Sequence, residues 1–278
     1  MIMPEFDQQK FAAAYQAIRL ADPLQEEMAA QLRCYDCLAS TNQTAWEWVA
    51  QQAPAGTAIL ALEQTAGRGQ RGHTWVSTVG GLYLSVILYP AIAPTDTNQL
   101  TISTAWGIAR ALREIPGQLG RTATQIPVQI KWLNDLILQG KKLGGILTET
   151  RMQGTQLKAA VVGIGLNWQN AIPETGITLH DFLHNYSDPP VDSLEMLTAL
   201  ALHGTLVGFT RLHHQGIAAI VPEYNALLAY RDRPLIVNEK TGTILGINPT
   251  GDLRFRVDSD GSNEILIKPG TINLGYTL

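Results

Sequence analysis

Apolar positions recur along this chain in two rhythms, and the change from one to the other divides it. GTAILALEQ (56–64) and GGLYLSVILYP (80–90) are short, nearly continuous apolar runs, the second ended by Pro90, which predicts buried strands. TNQLTISTAWGIARALREI (97–115) has helical spacing and predicts a long amphipathic helix. VQIKWLNDLILQGKKLGGILTETR (128–151) predicts a strand, a turn at Asn134-Asp135, a hairpin turn near 139–142 and a second strand. LKAAVVGIGLNWQ (157–169) predicts one more strand, interrupted by Gly163 and Gly165. The segment 1–33 is rich in Ala and Gln with helical spacing, so that Phe11, Tyr15 and Ile18 share one face. Ser40, Thr41 and Asn42 are N-cap types and should open a helix over QTAWEWVAQQ. The pattern is helical again from Ser193 to Arg231. From Arg233-Pro234 short runs alternate with Gly, Pro, Asn and Asp turns, predicting a small all-β barrel of about fifty residues and a boundary near 230.

Composition adds bounds rather than detail. The chain has 278 residues, 45% apolar and 16% charged, enough for one large and one small globular unit. A net charge of −4 and a pI of about 5.9 argue against broad electrostatic binding to nucleic acid. Cys34 and Cys37 form a C-x-x-C without a second ligand pair for zinc or a thioredoxin-like context, so two buried thiols in a reducing cytoplasm are expected. No basic segment followed by an apolar run marks a signal peptide, and no stretch reaches the roughly 18 apolar residues of a membrane span.

The chemistry concentrates in EQTAGRGQRGHTW (63–75), where Gly67, Gly69 and Gly72 alternate with Arg68 and Arg71 directly before a strand. Glycine permits close backbone approach to a ligand, and arginine offers planar donors to carboxylates and phosphates. This pairing points to a loop that closes over an anionic small molecule.

Four stretches stand in order: ASTN (39–42), GRGQRGHTW (67–75), KWLNDL…KKLGGIL (131–147) and GIGLNW (163–168). Together they resemble the biotin protein ligases, whose loop is typically GRGRxGRxW, followed by KWPND, K-L-x-G-I-L and G-I-G-I-N. The resemblance runs from about Leu38 through the tail. It implies an α+β fold: a mixed-sheet catalytic domain of the biotin/lipoate ligase type over 1–230, with a small C-terminal SH3-like β-barrel over 231–278. It also implies a two-step reaction using ATP, Mg2+ and biotin. Biotinyl-5′-AMP forms first, and biotin then passes to a lysine of the biotin carboxyl carrier protein of acetyl-CoA carboxylase. A cytoplasmic monomer or homodimer is expected. A lipoate–protein ligase or an octanoyl/lipoyl transferase of the same fold is the alternative, and a non-catalytic biotin or adenylate sensor a further one.

The resemblance also assigns roles. Ser40, Thr41, Asn42 and Gln64 match biotin-binding positions, as do Gly69, Gln70, Gly145, Gly163 and Gly165. Arg68, Arg71 and Lys142 match the catalytic cations near carboxylate and phosphate. Trp75, Lys131, Asn134 and Asn167 match the nucleotide region, and Asp135 a metal position. Taken alone, these residues also suit an N-cap, solvated loop charges, a core tryptophan and a β-turn. Four positions depart from the family pattern. Gln70 and His73 stand where loop arginines are common, Leu133 replaces a proline, and Gly176 stands where some members stack adenine on tryptophan. Some bacterial members begin with a winged helix-turn-helix of about sixty residues. The thirty-three or so residues before the matching region here are too few for one, and no DNA partner is expected.

Overall fold

The computed structural model describes residues 6–26, 28–120, 125–237, 240–258 and 263–272. Its first helix, α1 (Gln8–Ala21), is capped by Asp7, whose carboxylate accepts the N–H groups of Gln9 and Lys10. Phe11 and Ile18 are buried and Tyr15 packs against the same core, as the spacing predicts. The helix ends earlier than the composition suggests. Pro23 disfavours helical geometry at the residue before it, and Asp22 is extended, with φ −77° and ψ 123°. The chain then forms an unpredicted strand, β1 (Gln31–Leu38). None of its residues is buried, so it needs no apolar run and leaves no pattern to read.

β1 lies parallel to β2 (Thr57–Gln64), with α2 (Thr41–Ala50) as the crossover between them. β3 (Leu82–Leu88) turns back antiparallel to β2, and α3 (Asn98–Gln118) follows. The segment 128–151 makes three strands, not two: β4 (Gln129–Lys131), β5 (Asp135–Leu138) and β6 (Lys141–Gln153). The turn falls at 132–134, and Asp135 already pairs with Lys131. β7 (Gln156–Leu166) completes a seven-stranded mixed sheet in the order β1-β2-β3-β7-β6-β5-β4. The short α4 (Leu179–Leu183) precedes α5 (Leu194–Gln215) and α6 (Val221–Leu227).

Both faces of the sheet are covered, which explains the continuous apolar runs. Ala58, Leu60 and Leu62 of β2 join the core built with α3 and α5, whereas Ile59 packs under α2 with Trp46 and Val161. α3 and α5 cross with backbones in contact: a Cβ on Gly107 would lie 2.0 Å from the Gly204 carbonyl oxygen. The tail forms a four-stranded antiparallel sheet of β8 (Pro234–Val237), β9 (Lys240–Ile247), β10 (Leu253–Val257) and β11 (Glu264–Ile267). It docks through buried Ile244, Leu253 and Phe255 and through polar contacts. Trp132 Nε1 donates to the Gly251 carbonyl at 3.0 Å, and the Ile247 N–H donates to Asn225 Oδ1 at 2.8 Å. Among the described residues no helix is long and apolar enough to cross a membrane.

The cysteines require a correction. Cys34 is partly buried but Cys37 is exposed, so the buried-thiol expectation fails for Cys37. Three positions apart on a strand, their side chains leave by opposite faces. Burial, and then the charges of Asp36 and Glu195, push the Cys34 thiol up to about 12.

An ionic cluster ties α1 and the turn after it to the helical layer. His203 of α5 lies between two carboxylates, with Nε2 2.8 Å from Asp22 Oδ2 and Nδ1 2.8 Å from Glu26 Oε2. Arg110 of α3 pairs with Asp22, and Tyr15 and Arg19 both reach Glu26. Burial raises the Asp22 pKa, but hydrogen bonds from His203 and Arg110 outweigh it and hold the group at about 2. Burial lowers His203, and its two carboxylate partners more than reverse this, so its value is raised. Asp22 therefore stabilises the fold fully above its ordinary 3.8, a contribution lost as pH falls toward about 2. His203 stabilises fully below its ordinary 6.5, a contribution lost as pH rises through the raised value. His203→Gln should cost about 3 kcal/mol, because it removes the one cation that two buried carboxylates share. Thermal unfolding followed from about pH 5 to about pH 9 should show the wild type losing stability on the alkaline side. The variant should lack that decline; parallel curves would refute the charged assignment of His203.

Candidate active site

The glycine–arginine loop is a folded flap between β2 and β3. Its two limbs pair: Gly69 N–H donates to the His73 carbonyl at 2.7 Å, and Trp75 N–H to that of Gly67 at 3.0 Å. A short 3-10 turn, Gln70–Gly72, closes the tip, and Arg71 takes the left-handed conformation there at φ 55°. The flap stands over a narrow cleft. One wall is the start of α2, with Ser40, Thr41 and Asn42, continued by Gln64 at the end of β2. The flap contributes Arg68, Gly69, Gln70 and Trp75. The floor is β6 and β7, where Gly145 pairs with Gly165 and Leu147 with Gly163. These glycines leave the floor bare. A Cβ on Gly163 would lie 2.4 Å from Asn42 Oδ1, and one on Gly165 2.6 Å from the Trp75 ring.

Ser40 occupies the N-cap position of α2, but its side chain makes no capping hydrogen bond. Gln64 takes over from the neighbouring strand, with Oε1 accepting from Thr41 N–H at 2.8 Å. Gln64 Nε2 donates to Ser77 Oγ at 2.8 Å, and Ser77 Oγ–H to the Trp75 carbonyl at 3.0 Å. Two residues that the motifs did not flag extend this wall. Ser85 Oγ lies 2.7 Å from Thr41 Oγ1 and 2.6 Å from Asn42 Oδ1. Glu149 Oε2 accepts from Asn42 Nδ2 at 3.0 Å and from Trp46 Nε1 at 3.1 Å. Ser85 had a signal, being the lone polar residue inside LYLSVILY; Glu149 had none beyond lying two residues after KKLGGIL.

Two cations, Arg68 and Lys142, line the cleft, whereas Lys131 and Asp135 lie beyond its lining. Lys142 Nζ is 2.9 Å from Asp135 Oδ1 and 5.2 Å from the Trp75 ring centroid. The Trp75 Nε1–H is buried without a hydrogen-bond partner among the described residues. Lys131 is buried, and burial, together with the like charge of Lys142 and against the attraction of Asp135, brings its pKa down to about 8. Arg68 lines the cleft but pairs with Glu149, NH1 to Oε1 at 3.2 Å and NH2 to Oε2 at 3.3 Å.

Arg71, Asn167 and Gly176 stand outside this cleft. Arg71 lines a neighbouring, more open cavity between the flap, Trp132 and the tail at Pro269 and Gly270, and it reaches the Ile272 carbonyl at 3.4 Å. The two cavities share Gln70, Asn134 and Leu147. Asn167 sits behind β6, where Nδ2 donates to the Lys142 carbonyl at 3.2 Å and so supports Lys142 from its backbone. Gly176 lies beside the same strand: Lys142 N–H donates to the Thr175 carbonyl and Ile177 N–H to that of Lys142, each at 3.0 Å. Among the described residues no three His, Cys, Asp or Glu side chains gather as a metal cluster.

Residues 34–167 match the biotin/lipoate A/B protein ligase family. The chain is similar to the bifunctional ligase/repressor BirA of Bacillus subtilis, 38% identical over 143 residues, which are 51% of this chain and 42% of that protein. It thus spans less than half the length of that relative. It is 33% identical over 210 residues to the biotin–[acetyl-CoA-carboxylase] ligase of Paracoccus denitrificans, covering 71% of this chain and 83% of that one. Its structure resembles the biotin protein ligase from Aquifex aeolicus in complex with biotin and ATP, with a TM-score of 0.71 and 25% identity over 87% of this chain and 97% of that one. The coverage and identity of the Paracoccus relative, joined to the mixed sheet and the flap-covered cleft, make this chain a member of the biotin/lipoate A/B protein ligase family.

Proposed function

We propose that this chain is an ATP-dependent biotin–protein ligase that forms biotinyl-5′-AMP and transfers biotin to a lysine of a biotin carboxyl carrier protein. The observation that carries the proposal is a glycine-floored, polar-walled cleft that holds Lys142 and shares a border with a second cavity facing Arg71. The Paracoccus relative is named for biotin ligation to acetyl-CoA carboxylase, and the Aquifex structure holds biotin and ATP. A wall of ordered hydrogen-bonding groups at Thr41, Asn42 and Gln64 suits the ureido ring of biotin better than the dithiolane of lipoate, which offers no N–H donors.

In the first step a biotin carboxylate oxygen attacks the α-phosphorus of ATP and pyrophosphate leaves. Two anions must approach, so fixed cations have to offset their repulsion. Lys142 is placed for this, and Lys131 adds a second buried charge. The unpaired Trp75 indole N–H is a further donor in the wall. Arg71 serves the phosphates in the second cavity. Mg2+ usually takes one or two protein carboxylates plus substrate phosphates. Asp135, beside Asn134 at the border of the two cavities, supplies a hard oxygen donor of that type once Lys142 turns to the substrate. The ion would add positive charge at the phosphates. In the second step the carrier lysine nitrogen attacks the acyl carbon and AMP leaves. The flap excludes water from that anhydride.

We assign residues 1–230 to binding and catalysis and 231–278 to a docked unit in which Pro269, Gly270 and Ile272 border the cavity that Arg71 lines. The protein acts in the cytoplasm as a monomer or homodimer.

Lys142→Ala should reduce biotin-dependent ATP–pyrophosphate exchange by about 10²- to 10³-fold. Exchange at the wild-type rate in a folded variant would reject the role of Lys142. A pH series tests Lys131 separately. The group is charged below about 8 and neutral above it, so KM for ATP should rise as pH passes that value. Lys131→Met should show a high KM at every pH, without the rise.

A further inference from the structure

Glu149 is absent from the family motifs, yet it is where the flap meets the fixed framework, and its two oxygens divide the work. Oε2 accepts from Asn42 Nδ2 at 3.0 Å and from Trp46 Nε1 at 3.1 Å, two buried residues of α2. Oε1 faces the flap, with Arg68 NH1 3.2 Å away, and Arg68 NH2 completes a two-point pair at 3.3 Å from Oε2. The carboxylate is therefore held in place by α2 whatever the flap does. Arg68 is in the opposite position. Its side chain is 48% exposed, and among the described residues Glu149 is its only polar partner. The two-point pair fixes the plane of the guanidinium. It engages NH1 and NH2 and leaves Nε–H, with the second hydrogens of both, for an anion in the cleft that Arg68 lines.

We propose that Glu149 is a positioning residue: anchored to α2, it holds Arg68, and with it the flap, against the cleft before any ligand is bound. The proposal rests on the ligase reading above, in which the flap must cover an anhydride, and deepens it. The flap has few other ties. Its limbs bond to each other through Gly69 with His73 and Trp75 with Gly67, its tip reaches the tail through Arg71, and the Trp75 ring rests on Gly165. A two-stranded hairpin by itself is marginal in water, so the bonds between the limbs last only while the flap is docked. Glu149→Gln separates the two roles of this side chain. Trp46 Nε1–H can only donate, so the amide oxygen must take the place of Oε2, and the amide nitrogen then faces Arg68 NH1. α2 keeps its acceptor, whereas Arg68 loses its charged partner and meets a donor with a donor.

Hydrogen–deuterium exchange in the ligand-free protein tests this, reading the flap amides at 66–75 against those of α2 at 41–50. Glu149→Gln should quicken flap exchange about fivefold, the worth of a well-aligned ion pair at a partly exposed site, and leave α2 within about twofold of wild type. Arg68→Ala should quicken the flap at least as much. Glu149→Gln added to it should change nothing further, because both substitutions break one contact. A rise below about twofold in the flap of a folded Glu149→Gln protein overturns the proposal. So does an equal rise in α2, or a rise that persists in the Arg68→Ala background, since either means that Glu149 acts on the framework and not through Arg68. Should Glu149→Gln not fold, Arg68→Ala alone decides: flap exchange within about twofold of wild type refutes the catch. No ligand is present in any arm, so a negative result counts against this inference alone, whereas the ligase reading is tested by biotin-dependent ATP–pyrophosphate exchange.

Discussion

The site depends on bare backbone in the middle of the sheet. Where β6 and β7 carry Gly145, Gly163 and Gly165, the start of α2 and the Trp75 ring settle directly onto the strands. A Cβ at either β7 glycine would lift one of them away, and the cleft would lose a wall. Asn42 at its present depth reaches Glu149 and Ser85, and Trp75 at its depth lies beneath the Lys142 ammonium. The polar chemistry of the cleft is thus a consequence of missing side chains below it.

On this floor the protein arranges its charges by partnership. Lys142 is paired with Asp135 and Arg68 with Glu149, so the cations that line the cleft already have local carboxylate partners. Such pairs limit the cost of holding positive charge in a half-closed site. An anionic ligand in the cleft would have to compete with these carboxylates. Lys131 shows the alternative: deeper burial brings its pKa toward neutrality despite Asp135 nearby.

Away from the cleft, the same logic of mutual satisfaction holds the N-terminal helix. The turn after α1 carries Asp22 and Glu26 to His203 and Arg110 in the helical layer. The tail is attached differently, through apolar residues in the main core and hydrogen bonds that include those from Trp132, Ile247 and Arg71. The first attachment depends on charge, and therefore on pH, whereas the second rests chiefly on apolar burial.

Buried strands such as β2, β3 and β7, the long helices, the α2 start and the β-rich tail were all legible in the order of residues. Their apolar periodicity and turn residues are local signals. The motifs likewise marked Ser40, Thr41, Gln64, Arg68 and Lys142, and the structure lines one cleft with them. The edge strand β1 was illegible because a strand with no buried residue carries no apolar pattern. The third strand of the 128–151 segment was hidden because Asn134-Asp135 suits a turn equally well, and only pairing with Lys131 puts Asp135 in β5. Tertiary structure alone placed Arg71 and Asn167 outside the main cleft, made Gln64 the cap of α2, and gathered Ser85 and Glu149 into its wall. The contact between Asn42 and Glu149 joins residues 107 positions apart, and that between Arg71 and Ile272 residues 201 apart. Nothing in local spacing encodes them, because they exist only once the sheet has brought its strands side by side.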